Sequence, residues 1–134
     1  MSDFSTSLRV RYAETDAQGI AFNANYLTWC DVAVTDYFRF CGIPYGEFVR
    51  TTGFDFHAVR AEIEFKQPAR FDEEIELSVS GRIKGARILW SIEMRRIGIV
   101  LCSVALEYAV MDTQSRRPAR LPEQWQRLLR LEIA

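Results

Sequence analysis

The sequence predicts an α+β fold in which an antiparallel sheet of five strands curls around one long central helix. Three patterns indicate it: a short alternating segment near the start, one wide helical stripe of apolar side chains, and about four further alternating segments. An antiparallel sheet has one apolar face to cover, and the chain offers only one substantial helix to cover it. We therefore expect a single domain over residues 1–134, with the sheet wrapped around that helix.

The first strand is predicted at residues 8–12, where apolar side chains alternate with arginines, and residues 14–19 break the pattern as a loop. The long helix follows, with Asn23 or Asn25 able to cap its start and Gly42 near its end. Its apolar stripe has steps of three and four residues and consists of Tyr26, Leu27, Cys30, Val34, Tyr37, Phe38 and Cys41.

A shorter helix is predicted at residues 44–52, and most of the remaining chain alternates as strands do. The strands are predicted at residues 54–65, 75–83, 88–94 and 100–110, with turns at residues 84–86 and at Gly98. The last of them carries apolar side chains on both faces, which predicts a central strand. The tail, residues 122–131, predicts a short amphipathic helix. An edge strand would stay open, and we expect it to pair with a second copy of the chain.

Composition excludes several classes of protein. The formal net charge is −1, without the basic excess that nucleic-acid binders usually show. No apolar run approaches the roughly 18 residues of a membrane span. The polar start, residues 1–7, predicts no secretory signal. Three scattered cysteines favour free thiols in a reducing compartment, so we expect a cytoplasmic protein.

The chemistry available to the chain is also limited. His57 is the only histidine, so a zinc site with three histidines is impossible, and no cysteine pair has the spacing of metal ligands. There is no Gly-x-Ser-x-Gly turn, phosphate-binding loop or dinucleotide fingerprint. If the protein is an enzyme, carboxylates and backbone dipoles are the tools that remain.

These tools could meet in the segment before the long helix. Asp16 lies in the loop, and Gly19 permits a turn with positive φ. The first amides of the helix, at residues 23–25, have no intrahelical partner and lie at the positive end of the helix dipole. Such amides can hold a carbonyl oxygen while a nearby carboxylate acts as base or nucleophile. A helix cap or a solvated loop residue is the alternative for Asp16.

Two motifs resemble the 4-hydroxybenzoyl-CoA thioesterase family. Residues 12–27 read YAETDAQGIAFNANYL, and they match the family pattern in register at Asp16, Gly19, Ile20 and Tyr26. Residues 65–73 read FKQPARFDE, similar to the segment with Pro-Ala-Arg and an acidic pair that precedes a strand in the family. With the matching order of elements, the resemblance covers roughly residues 8 to 112.

The resemblance implies a hotdog fold, a dimer with a continuous sheet, often a tetramer of such dimers, and hydrolysis of an acyl-CoA thioester without a metal or redox cofactor. It makes Asp16 the catalytic carboxylate, either attacking the thioester or activating water. The backbone N–H of Asn23 would polarise the thioester carbonyl.

Further residues carry over as substrate contacts. Arg87, with Lys84 and Arg82 as neighbours, would bind the CoA phosphates, and a solvated turn is the alternative for this group. Gly19 and Tyr26 are assigned to the substrate site, with core packing as the alternative for Tyr26.

The sequence departs from the family at Asn23, where many bacterial relatives carry His. Asn cannot shuttle a proton at neutral pH, which leaves the substrate range and rate open. Two other functions use the same fold: a non-catalytic module that binds acyl thioesters, and a dehydratase, which would need His57. The acyl group and the choice between CoA and acyl carrier protein also stay open.

Overall fold

The computed structural model describes residues 4–134. Residues 1–3, part of the polar start from which we predict no secretory signal, lie outside the described residues. The elements are β1 (Phe4–Arg9), a single 3-10 turn (Tyr12–Glu14), α1 (Ala24–Phe40), α2 (Tyr45–Thr52), β2 (Phe54–Phe65), β3 (Glu74–Lys84), β4 (Arg87–Arg96), β5 (Ile99–Asp112), α3 (Glu123–Leu128) and β6 (Glu132–Ile133).

The strands form one sheet in the order β1-β3-β4-β5-β2, and all these neighbours are antiparallel. Strand β6 adds a short parallel pairing to β3 at Arg82 and Ile83, beyond the reach of β1. The predicted five-stranded sheet is confirmed. β5 is an interior strand as predicted, although β4 occupies the middle. A strand as short as β6 has no periodicity by which to predict it.

Helix α1 covers the apolar face of the sheet. Its buried side chains lie in one core with alternate residues of β3, β4 and β5, which is the arrangement that the alternating patterns predict. On the helix these side chains are Tyr26, Trp29, Cys30, Ala33, Val34, Tyr37 and Phe38. All three cysteines are free thiols, as predicted. None of the helices within residues 4–134 is long and apolar enough to cross a membrane.

The first strand differs from its prediction, because it spans Phe4–Arg9 rather than residues 8–12. The alternation over residues 8–12 puts Val10 and Tyr12 on one face, but Val10 is buried and Tyr12 is 80% exposed, so this part of the prediction was wrong. The chain leaves the sheet at this point because the carboxylate of Glu14 accepts the backbone N–H of Arg11, which closes the 3-10 turn.

The predicted asparagine cap of α1 is also wrong. Asn23 has helical backbone angles, φ −52° and ψ −39°, and its side chain makes no capping hydrogen bond. The side chain of Asn25 points back instead and donates to the carbonyl oxygen of Glu14 at 2.7 Å. A contact across 11 residues of chain has replaced the local cap.

Strand β2 forms an open edge of the sheet. It pairs with β5 on one side, and no other strand within residues 4–134 pairs with it. Residues 57–62 are exposed along both faces, which confirms an open edge strand. The register with β5 shifts between Ala58 and Arg60, so Val59 occupies a bulge. Val59 therefore leaves the alternation that is predicted for the strand at residues 54–65.

Gly81 leaves room for Leu131 of the tail and for Trp90 to pack closely against β3. A Cβ atom there would lie 2.7 Å from a ring carbon of Trp90 and 2.7 Å from a methyl group of Leu131. We expect Gly81→Ala to lower the free energy of unfolding by about 1–3 kcal/mol, because overpacking forces its neighbours apart. Urea denaturation measures this loss. Gly46→Ala is the control, since the nearest atom there is 3.6 Å away. Equal stabilities of the two variants would contradict the close packing.

Candidate active site

A compact loop of residues 14–22, here named the Asp16 loop, precedes α1. Thr15 and Ala21 form an antiparallel bridge across it, and the N–H of Asp16 donates to the carbonyl oxygen of Ile20 at 2.9 Å. Gly19 turns the chain with φ of +76°, a conformation that side-chain-bearing residues rarely adopt. The loop is therefore held by its own backbone.

The carboxylate of Asp16 is exposed at the tip of this loop. Its Oδ1 accepts the N–H of Gln18 at 2.8 Å, which fixes the orientation of the side chain. Within residues 4–134, no donor contacts Oδ2. One oxygen is thus anchored and the other is available to a ligand.

The start of α1 presents open backbone amides. In the part of the chain that the structure describes, the N–H groups of Asn23 and Ala24 have no acceptor. The next two amides are satisfied, since Asn25 donates to Phe22 at 3.0 Å and Tyr26 to Asn23 at 3.3 Å. These open amides lie at the N-terminus of a 17-residue helix, which is the positive end of its dipole. They can donate hydrogen bonds to a partly negative oxygen.

The second sequence motif, residues 65–73, packs against the first, residues 12–27. The N–H of Ala69 donates to the hydroxyl of Tyr26 at 3.1 Å, and its carbonyl oxygen accepts the N–H of Ala21 at 2.8 Å. Ile20 and Arg70 form a further bridge. Residue Tyr26 is 2% exposed, and burial raises the pKa of its hydroxyl. The structure thus places Tyr26 beneath the Asp16 loop, in contact with the Pro-Ala-Arg segment.

A buried acid, Glu14, belongs to the site and was not found from the sequence. It is 6% exposed, and its carboxylate accepts the N–H of Arg11 at 2.8 Å, Arg11 Nη2 at 2.9 Å and Trp29 Nε1 at 2.7 Å. Burial alone would raise the pKa of Glu14, but the hydrogen bonds from Arg11 and Trp29 outweigh it and lower the pKa below its usual value. The only local feature of the sequence that indicates a paired acid here is Arg11, three residues before Glu14.

The predicted phosphate contacts lie elsewhere in the chain. Lys84 and Arg87 face each other across the β3–β4 hairpin, where Arg87 forms an ion pair with Glu107 and Lys84 is exposed. Strand β3 has 11 residues and spans roughly 35 Å, with the Asp16 loop beside its other end. Within one chain, therefore, the structure does not bring these basic residues to Asp16.

The single histidine also lies at the hairpin end of the sheet. His57 pairs with Ala109 on β5, and Ala109 pairs with Arg87 on β4, so the three residues form one row across the sheet. His57 is exposed. This position separates it from the Asp16 loop of its own chain.

Comparison with known proteins agrees with this architecture. The chain matches the thioesterase-like superfamily over residues 10–129. It is 28% identical to acyl-CoA thioesterase YbgC of Haemophilus influenzae over 123 residues, 90% of either chain. A hypothetical protein from Thermus thermophilus superposes with a TM-score of 0.85 at 29% identity, covering 94% of this chain and 96% of the other. A 1,4-dihydroxy-2-naphthoyl-CoA thioesterase from Synechocystis superposes with a TM-score of 0.83 at 19% identity over 94% of each chain.

The chain therefore belongs to the thioesterase-like superfamily, and its sheet curled around α1 is a hotdog fold. The predicted fold is confirmed, and so is the predicted class of protein at the level of the superfamily. The match identifies the superfamily and does not identify 4-hydroxybenzoyl-CoA as the substrate.

Proposed function

We propose that this protein hydrolyses acyl-CoA thioesters at a site that the Asp16 loop of one copy forms with the β3–β4 hairpin of a second copy. The observation that carries the proposal is the half-anchored carboxylate of Asp16 on a loop that leads directly into the open amides of α1. The naming of the Haemophilus influenzae relative as an acyl-CoA thioesterase supports the substrate class.

The open amides polarise the thioester. Its carbonyl oxygen accepts the N–H of Asn23, which lies at the positive end of the helix dipole. Negative charge gathers on that oxygen when the carbonyl carbon is attacked, and fixed N–H donors stabilise it most in the transition state. This role needs only the backbone of Asn23, so the absence of a His side chain there does not prevent it.

Asp16 supplies the attack by one of two routes. As a nucleophile, its Oδ2 bonds to the carbonyl carbon and the C–S bond breaks, which releases CoA as a thiolate and leaves an anhydride that water hydrolyses. As a general base, it takes a proton from water while that water attacks the same carbon. Both routes end in a free acid and CoA, and neither needs a proton shuttle at Asn23.

A second copy completes the site through the open edge of β2. Antiparallel pairing of two β2 strands places the Phe54 end of one beside the Phe65 end of the other. The Phe65 ring packs on Tyr26, 5.2 Å between ring centroids, so the Phe65 end belongs with the Asp16 loop. The Phe54 end belongs with the hairpin, since Phe54 pairs with Asp112 and the N–H of Val110 donates to Ala86.

Such a dimer brings the partner's basic hairpin to the Asp16 end of the first copy. Lys84 and Arg87 of the second copy then bind the phosphates of CoA, and Arg87 is held in place by Glu107. Gly19 keeps the loop turned toward the substrate, and Tyr26 supports it from below. We place this dimer in the cytoplasm. A tetramer of such dimers and an acyl carrier protein as the thiol carrier are variants of the same proposal.

A panel of thioesters tests the proposal. Purified protein is mixed with short, long and aromatic acyl-CoAs, and free thiol is followed. We expect turnover of at least one acyl-CoA without added metal. Saturable binding of acyl-CoA with no release of thiol from any member would contradict hydrolysis and identify a binding module instead.

A further inference from the structure

We infer that Glu14 is a positioning residue that holds the Asp16 loop in register with the start of α1. The inference rests on the proposed function, since it assigns Glu14 a part in the same reaction. Glu14 does not touch the thioester in this scheme. It acts through Asp16, which lies two residues further along the chain.

The side chain of Glu14 joins the chain before the loop to the helix after it. Its carboxylate accepts two hydrogen bonds from Arg11, one from the backbone N–H and one from Nη2, and it accepts a third from Nε1 of Trp29 on α1. The contact with Trp29 spans 15 residues and is buried. A carboxylate accepts several hydrogen bonds at once, and charge-assisted bonds such as that from Arg11 are the stronger kind.

The backbone of Glu14 makes a second connection of the same kind. Its carbonyl oxygen accepts the N–H of Phe22 at 2.8 Å and Nδ2 of Asn25 at 2.7 Å. Asn25 and Trp29 are four residues apart, so they lie on the same side of α1. One residue thus ties the entry of the Asp16 loop, its exit at Phe22, and the first two turns of the helix.

A neutral side chain cannot reproduce this arrangement. Gln has one acceptor oxygen, and its NH2 group is a donor. That group would face Trp29 Nε1 or the N–H groups of Arg11, which also donate, so at least one hydrogen bond would be lost. At 6% exposure, water has little access to repair the mismatch. The loop would shift relative to the open amides, and a displacement of about 1 Å can lower a rate by roughly 100-fold.

We expect Glu14→Gln to lower kcat by about 10-fold while KM changes by less than about 3-fold, because the geometry of attack and not substrate binding is altered. Trp29→Phe removes the donor that faces the carboxylate and should lower kcat similarly. The double variant should lose no more than Glu14→Gln alone, since both substitutions remove the contact between Glu14 and Trp29. Glu123→Gln is the control, because that acid pairs with Arg127 on α3.

Amide hydrogen exchange supplies a readout that does not depend on activity. In Glu14→Gln, exchange within the Asp16 loop should accelerate by about 10-fold while the amides of β4 and β5 stay protected, since only a local opening is favoured. Unchanged exchange in the loop would overturn the inference whatever the activity. If loop exchange rises but kcat of the folded variant stays at the parent value, Glu14 is structural and the inference also fails. Loss of activity in Asp16→Asn beside unchanged Glu14→Gln kinetics would leave the proposed function intact.

Discussion

Replacing Asp16 with Asn is expected to lower kcat for acyl-CoA hydrolysis by at least about 100-fold. Asn has the same size, and its side-chain oxygen can still accept the N–H of Gln18, so the turn of the loop is retained. A neutral amide can neither attack the carbonyl carbon nor take a proton from water. The measurement is kcat at saturating acyl-CoA, with free thiol as the product.

Glu123→Gln provides a matched control for this substitution, because it also replaces a carboxylate with an amide of the same size. Glu123 is an exposed acid that pairs with Arg127 on α3. We expect its kcat to equal that of the parent. A kcat for Asp16→Asn as high as that of Glu123→Gln would make Asp16 a structural residue only.

Replacing Arg87 with Ala is expected to raise KM for acyl-CoA by about 10- to 100-fold while kcat falls much less. A hydrogen bond between a guanidinium and a phosphate contributes about 1.5–3 kcal/mol, and 1.4 kcal/mol corresponds to a factor of ten. The phosphates lie far from the reacting carbonyl, so the loss falls on binding. Steady-state kinetics at two salt concentrations measure it, because screening weakens the parent's binding more than the variant's.

Two controls separate phosphate binding from a general loss of structure. Arg127→Ala removes an exposed arginine that pairs with Glu123 on α3, and its KM should match the parent. A short acyl thioester of N-acetylcysteamine carries no phosphate, so the parent and Arg87→Ala should hydrolyse it at equal rates. A defect of Arg87→Ala on this substrate as large as on acyl-CoA would contradict a phosphate contact.

The elements that could be predicted from the sequence are those whose burial repeats along the chain. The stripe from Tyr26 to Cys41 and the alternation in β3, β4 and β5 are local patterns, and both correspond to one covered face, except that Leu27 of the predicted stripe is 39% exposed. The pattern fails where the backbone deviates from regular geometry. Val59 leaves the alternation at a bulge, and Tyr12 follows the point where the chain has already left the sheet.

In the candidate site, too, the residues in local patterns could be predicted and those with long-range contacts could not. Asp16 and Gly19 could be placed because a loop before a helix is visible in sequence, and the resemblance added their register. Asn25 and Glu14 could not, since their contacts join residues 11 to 15 positions apart. An acid is rarely buried, and only Trp29 and Arg11 together explain why Glu14 is. The position of Lys84 and Arg87 relative to Asp16 depends on a second copy, which no pattern within one chain defines.

One measurement tests the shared site most directly. Asp16→Asn and Arg87→Ala proteins are unfolded together, refolded as a 1:1 mixture, and assayed at acyl-CoA concentrations well below the parent's KM. If Asp16 of one copy works with Arg87 of the other, each mixed dimer has one intact site. Half of the dimers are then mixed, and the rate recovers to about a quarter of the parent's. A mixture no more active than the average of the two separate variants would contradict a site shared between two copies.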